Sequence, residues 1–427
     1  MEHRRRLTGY ERDDADKHPA DRGFGANRPA SSGAPIQVAV QHDPFHEDAP
    51  DDQIPYAQGK SDRFHLVHVF PTFGLGGVPI RISTILNSLG QRYRHTIIAT
   101  DGCFDCRTRL DPSLEVAFTS VVTSRYSLPG TLRQLRRHLR SLRPDLLLTY
   151  NWGAIEWGLA NGLLPICRHV HFESGFGPEE ADRQMRRRVL FRRLALARSE
   201  RLVVPSQTLV EIATRIWRIP RKKVLYVPNG VDCDRFAAPP APDALPGLDR
   251  RPKELVVGTV APLRAEKNLG RLMRAFAGIG DHLSMRLVIV GDGPERSRLE
   301  GLARELGSLD RILFAGHIED VEEVLGHFDI FALSSDTEQM PNSLLQAMAA
   351  GLPVVATDVG DVARNLSPEN RRFVVARDDE AAFGAALTEL LSDGGLRKHL
   401  GRCNRMHVRS HYGLDRMVQA YEKIFDL

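Results

Sequence analysis

An α/β chain built from two successive parallel-sheet domains is predicted by three observations. From Phe64 onward, short strand-like apolar runs alternate with helical stretches, the pattern of strands buried between helices. A Pro-rich stretch, 237–252, interrupts that alternation and reads as a linker. A second alternating series then follows it. At 427 residues and 42% apolar content, the chain can bury two or three cores.

Taken in order, residues 1–60 are polar, with scattered Pro, Gly, Asp and Arg and no periodicity, and read as a disordered tail. The N-terminus lacks the apolar core of a signal peptide, and no apolar run approaches the ~20 residues that span a bilayer, so a cytoplasmic protein is expected. A net charge of +4, with no aromatic-and-basic platform for stacking bases, argues against nucleic acid. Five cysteines do not make a disulfide framework in a chain of this length. Cys103 and Cys106 have the spacing of a metal or redox pair, but no second Cys-x2-Cys pair follows, and reduced thiols are expected.

The first domain is expected over 61–235, with strands at 65–70, 95–100, 145–150, 168–173, 201–205 and 223–227. After the first strand, the loop 72–78 leads into a helix at about 80–89. It carries Gly74, Gly76 and Gly77, whose missing side chains let backbone amides approach a phosphate or a sugar. A dinucleotide fingerprint would need glycine at 79, where the chain has Pro79. At the end of the 168–173 strand, period two sets His169, His171 and Glu173 on one side, where a parallel sheet keeps its ligands. Two basic stretches, 131–143 with five arginines beside a leucine stripe and 183–193 with six, read as solvated faces. At about 1 kcal/mol per basic residue near an anionic bilayer, they could also hold the protein at a membrane.

A linker, 236–253, separates this from a second domain over 254–410, with strands at 255–260, 286–291, 311–315, 328–333, 353–357 and 372–376. The most informative stretch is 334–361. Pro341-Asn342 opens a helix whose Leu344, Leu345, Met348 and Leu352 share one face, and Gly351 and Pro353 stop it. A helix N-terminus at the carboxyl end of a parallel strand is a ready anion site. Glu338 before it and Gln346 on its polar side would flank the anion, which suggests a nucleotide sugar; the plain alternative is a strand–loop–helix unit with a solvated Glu and Gln.

The segment 334–357 resembles the Glu-x7-Glu signature of the family-4 (group 1) retaining glycosyltransferases, with Glu338 at the first acidic position and Gln346 in place of the second. Four other segments, Gly74–Gly77, 168–173, 227–232 and 257–268, match the same family, so the resemblance covers roughly 64–427. It implies the GT-B fold: two Rossmann-like domains with parallel sheets facing across a cleft, and a C-terminal helix, here within 411–427, crossing back to the first domain. It also implies an enzyme that moves a sugar from a nucleotide diphosphate donor to an acceptor hydroxyl, of a glycan or lipid-linked saccharide, with retention of configuration. By the same resemblance, Glu338 and His171 lie beside the donor sugar and are the catalytic candidates. Donor contacts are expected from Gly76, Gly77, Arg264, Lys267, Asn342, Ser343, Leu344 and Gln346. Lys267 matches the family's diphosphate lysine, whereas its arginine position holds Pro262 and Arg264 is the substitute. No metal or cofactor is expected, and Asp232-Cys-Asp234 reads as structural rather than as a metal motif. Pro262 and Gln346 also motivate a nucleotide-sugar binder that has lost catalysis, and a third reading is an epimerase acting on the donor itself.

Overall fold

Parallel strands buried on both faces must be covered by helices, and their connections then wind in one hand, which leaves few arrangements open. The computed structural model describes residues 63–427 apart from 122–126, 177, 181–182, 241 and 281–282, all within one unit, Gln58–Leu427. The tail expected over 1–60 lies outside the described residues.

The first sheet is formed by β1 (His65–Phe70), β2 (Arg94–Ala99), β3 (Val116–Ser120), β4 (Leu146–Tyr150), β5 (Arg168–Phe172), β6 (Arg201–Val204) and β7 (Val224–Tyr226). Its order is β3-β2-β1-β4-β5-β6-β7, and every pairing is parallel. The second sheet holds β8 (Leu255–Val260), β9 (Met285–Val290), β10 (Ile312–Gly316), β11 (Ile330–Leu333), β12 (Val354–Thr357) and β13 (Val374–Val375), in the order β10-β9-β8-β11-β12-β13, again parallel throughout.

Strand β3 is absent from the sequence expectation. It is an edge strand with only half-buried and exposed positions, so it lacks the continuous apolar run that marks the others. By contrast, β1 is buried at every residue although it contains His65 and His68.

Both sheets reverse direction at an internal point, between β1 and β4 and between β8 and β11. Loops leaving such a switch point open a crevice at the carboxyl ends of the strands. The loops that follow β1, β8 and β11 are the ones carrying the glycines, Arg264 with Lys267, and Glu338.

The C-terminal helix Leu414–Phe425 buries Met417, Tyr421, Ile424 and Phe425 in the core of the first domain. Tyr421 stacks on Phe172 at 5.3 Å, and Phe425 meets the His68 ring edge-on at 5.9 Å. The segment between the domains is partly embedded rather than free, since Phe236 and Leu245 are buried in the second domain's core.

Candidate active site

Three loops and one helix start converge on a cleft of about 970 Å³ lined by both domains. Helix Asn342–Ala349 buries Leu344, Leu345, Ala347, Met348 and Ala349, which fixes its axis against the sheet. Pro341 stands at its N-cap with φ −71° and ψ 124°, one position before the first turn, and no side chain caps the helix. Its first amides are therefore free to face a ligand, and the dipole favours an anion there. Asn342 and Ser343 line the cleft, and a Cβ on Gly77 would come within 3.5 Å of Asn342 Nδ2. The glycine loop of the first domain and the helix start of the second thus meet face to face.

The cations stand on the loop after β8. A single turn of 3-10 helix, Ala265–Lys267, is closed by Asn268 at φ +40°, whose side chain caps helix Leu269–Gly278 and donates to Asp336 at 3.1 Å. Lys267 Nζ donates to Glu338 Oε1 at 2.5 Å, and Ser335 Oγ donates to the same oxygen at 2.8 Å. Glu338 is therefore oriented from two sides, and the charge of Lys267 is already compensated. Arg264 is exposed on the cleft wall and has no carboxylate partner among the described residues.

The opposite wall rests on Arg81, a residue that no sequence motif marks. It donates to Asn229 Oδ1 and, at 2.9 Å, to Ser174 Oγ. Asn229 Nδ2 in turn donates to Asn342 Oδ1 at 2.9 Å and to the Met340 carbonyl at 3.0 Å. This chain of contacts couples the helix after the glycine loop to the anion-facing helix. Its only sequence signal is a lone charged residue within an otherwise uncharged helical stretch. Gly291 is a second residue without a sequence signal. At φ +135°, where an added Cβ would fall only 1.9 Å from the Ala261 carbonyl oxygen, it allows β9 to end against the backbone of the loop after β8.

Of the ten site candidates, Gly76, Gly77, Arg264, Lys267, Glu338, Asn342 and Ser343 line the cleft. Leu344 lies in the core, so only its backbone amide faces the helix start. Gln346 is half-buried one turn into the helix and is absent from the cleft wall. His171 is 1% exposed and lies under the sheet rather than in the cleft. Its Nδ1 shares the Thr149 hydroxyl with His169 Nε2, both at 2.8 Å, and its Nε2 stands 4.0 Å from Glu173 Oε2. The period-two grouping of His169, His171 and Glu173 is correct, but both faces of a parallel sheet are covered, and the grouped face is the one beneath helices. Burial, with the neighbouring His171, pushes the pKa of His169 down to about 3. The cleft is reached one residue beyond, at Ser174.

Among the described residues no cluster of three or more His, Cys, Asp or Glu is arranged to hold a metal. Asp232 accepts the amides of Asp234 and Arg235 at 3.1 Å and so closes a turn, while Asp234 pairs with Arg409 on helix Gly394–His411. Cys103 and Cys106 are free thiols.

Two family patterns match the chain, Glycosyl transferases group 1 over residues 244–407 and Glycosyltransferase Family 4 over 75–235. The chain belongs to the group 1, family 4 glycosyltransferases. The 2-deoxystreptamine N-acetyl-D-glucosaminyltransferase of Streptomyces fradiae is 25% identical over 381 residues, 82% of this chain and 90% of that relative. The N-acetyl-alpha-D-glucosaminyl L-malate synthase of Bacillus anthracis is 29% identical over 172 residues, 40% of this chain and 45% of its own length. Among solved structures, Anabaena HepE in complex with UDP-glucose superposes with a TM-score of 0.73 at 15% identity, covering 86% of this chain and 100% of that one. This likeness shows the GT-B fold, with two Rossmann-like parallel sheets.

Proposed function

We propose that this glycosyltransferase moves a sugar from a nucleotide diphosphate donor to an acceptor hydroxyl with retention of anomeric configuration. The observation that carries the reading is the convergence of Arg264, Lys267 and the uncapped start of helix Asn342–Ala349 on one cleft. Departure of a nucleoside diphosphate leaves negative charge on a phosphate oxygen, and fixed donors aimed at that charge usually contribute most to catalysis in such a site. Arg264, Lys267 and the helix amides supply such donors from the protein itself, and we propose that no metal ion is needed. Glu338, held by Lys267 and Ser335, faces the donor sugar. Gly76 and Gly77 bring backbone amides to the same ligand from the other domain.

Retention is the habit of the family to which the chain belongs, and a glycan or lipid-linked saccharide fits a relative named as a lipopolysaccharide core glycosyltransferase. UDP-sugars are the first donors to test, because the HepE complex holds one. The test is release of nucleoside diphosphate from a donor panel, with and without EDTA, together with the anomeric proton coupling in the product. The reading expects one donor to be consumed equally in EDTA and its anomeric configuration to survive. Inverted product would refute retention.

We further propose that the enzyme works in the cytoplasm at the inner face of a membrane. No described helix is long and apolar enough to cross one. Leu190 and Leu194 are 57% and 56% exposed on helix Arg186–Leu196, beside Arg186 and Arg187. Apolar side chains flanked by cations suit an anionic bilayer surface. Sedimentation with phosphatidylglycerol vesicles, lost in Leu190→Asp/Leu194→Asp, tests it; equal recovery with neutral vesicles would oppose it.

A further inference from the structure

A second hollow, of about 650 Å³, opens beside the donor cleft between helix Arg186–Leu196 and the loops after β11 and β12. Phe176, Glu180 and Glu338 line both hollows, so the two are continuous at the carboxylate expected to face the donor sugar. An acceptor hydroxyl entering here would arrive beside Glu338.

The charge on its wall is one-sided. Four arginines line it: Arg183, Arg186, Arg193 and Arg377. Three described acids do so as well, but each is held by cations that stand outside this wall. Glu180 accepts from Arg192 at 2.9 Å and from Arg188 at 3.2 Å, Asp336 pairs with Arg271 at 2.8 Å, and Glu338 pairs with Lys267 at 2.5 Å. Burial opposes the ionised form of Glu180, yet the hydrogen bonds from Arg192, the Met185 amide and Arg188 hold its pKa below the ordinary value, so it stays an anion bound to its partners. Arg193 is clamped by the carbonyl oxygens of Ile216 and Trp217 at 2.8 Å, which fixes its direction without neutralising it. Arg377 has Asp378 at 3.5 Å. Arg183 and Arg186 are exposed and have no carboxylate partner among the described residues. Such a hollow suits a ligand that brings its own negative charge.

We infer that this hollow is the acceptor subsite and that it selects a hydroxyl acceptor bearing a phosphate or a carboxylate, read by Arg183, Arg186 and Arg193. The inference rests on the transferase reading above and adds the class of acceptor. Neutral acceptors would leave the arginines without a partner.

The test is a calorimetric titration of glucose 1-phosphate, methyl glucuronide and methyl glucoside into protein saturated with the nucleoside diphosphate it binds. The expected result is binding of at least one anionic probe at least tenfold tighter than methyl glucoside, with the phosphate and carboxylate arms showing which anion is preferred. Arg183→Gln/Arg186→Gln should lose that advantage by tenfold or more. Both side chains are exposed, so an unchanged unfolding midpoint will show that the variant is folded. Equal binding of neutral and charged probes, undiminished anionic binding in the variant, or displacement of the anionic probe by nucleotide would overturn the inference. If no nucleoside diphosphate binds, the transferase reading fails on its own. The same titrations on nucleotide-free protein still decide the subsite, because these two arginines line only the second hollow.

Discussion

Lys267 is held 2.5 Å from a carboxylate oxygen of Glu338, so a diphosphate must share or displace that partner before it gains the full ammonium. Arg264 has no such competitor among the described residues. A charge-assisted hydrogen bond contributes roughly 1.5–3 kcal/mol, so Arg264→Ala should weaken nucleoside diphosphate binding by about ten- to a hundredfold. Glu338→Gln removes the negative charge beside Lys267, and we expect nucleoside diphosphate affinity to hold or rise while kcat falls. Calorimetry and steady-state rates on one preparation separate the two effects, and unchanged turnover would remove Glu338 from the reaction. Lys267, Glu338 and Arg264 are legible in the sequence because motif spacing carries them. That two of them neutralise each other is not, since it depends on loops 71 residues apart in the chain. The sequence misplaces His171 for a related reason: alternation along β5 groups side chains but does not say which face is covered.

Elements are easier to read than their contacts. Helix Asn342–Ala349 announces itself through its leucine face and proline start, whereas the edge strand β3 gives no comparable signal. The elements also meet across the cleft in a way that no local pattern predicts. Asp361, 1% exposed at the start of a short helix of the second domain, accepts from the amides of Gln207 and Thr208 at 2.5 and 3.1 Å and from the Thr208 hydroxyl at 2.7 Å. It thereby caps helix Gln207–Glu211 of the first domain alongside Ser206, whose hydroxyl also donates to Gln339 at 3.0 Å. Asp361→Ala would strand two amides at this contact, and a cost of about 2 kcal/mol is expected from the lost cap and unpaired donors. Urea unfolding of parent and variant checks this; a midpoint unchanged within error would mean that water replaces the carboxylate at no cost.

At the scale of the whole molecule, the doubly wound order of each sheet follows from the alternation of buried runs and helices, and the switch points then bring the motif loops together. Long-range partners such as Arg81 and Asn229, 148 residues apart, emerge only once the domains are built. The first sheet also carries a pH liability. Burial, aided by Arg94 and His65 respectively, pushes the pKa of His65 and His95 down to about 4, and His169 is lowered to about 3. These folded-state pKa values lie below the unfolded value near 6.5, so the unfolded chain binds more protons and stability falls as pH drops from about 6.5 toward 4. Near pH 5, unfolding should take up about three protons from these groups, read as the slope of unfolding free energy against pH. A flat profile between pH 6.5 and 4 would show that the three imidazoles are not held neutral.

The most direct measurement of the central claim is calorimetric titration of nucleotide diphosphate sugars into the parent protein and into Arg264→Ala/Lys267→Ala. The donor-cleft account predicts saturable binding of at least one nucleotide sugar to the parent, weakened by about a hundredfold or more when both cations are removed. Equal affinity in parent and double variant, or no binding of any nucleotide sugar to the parent, would contradict it.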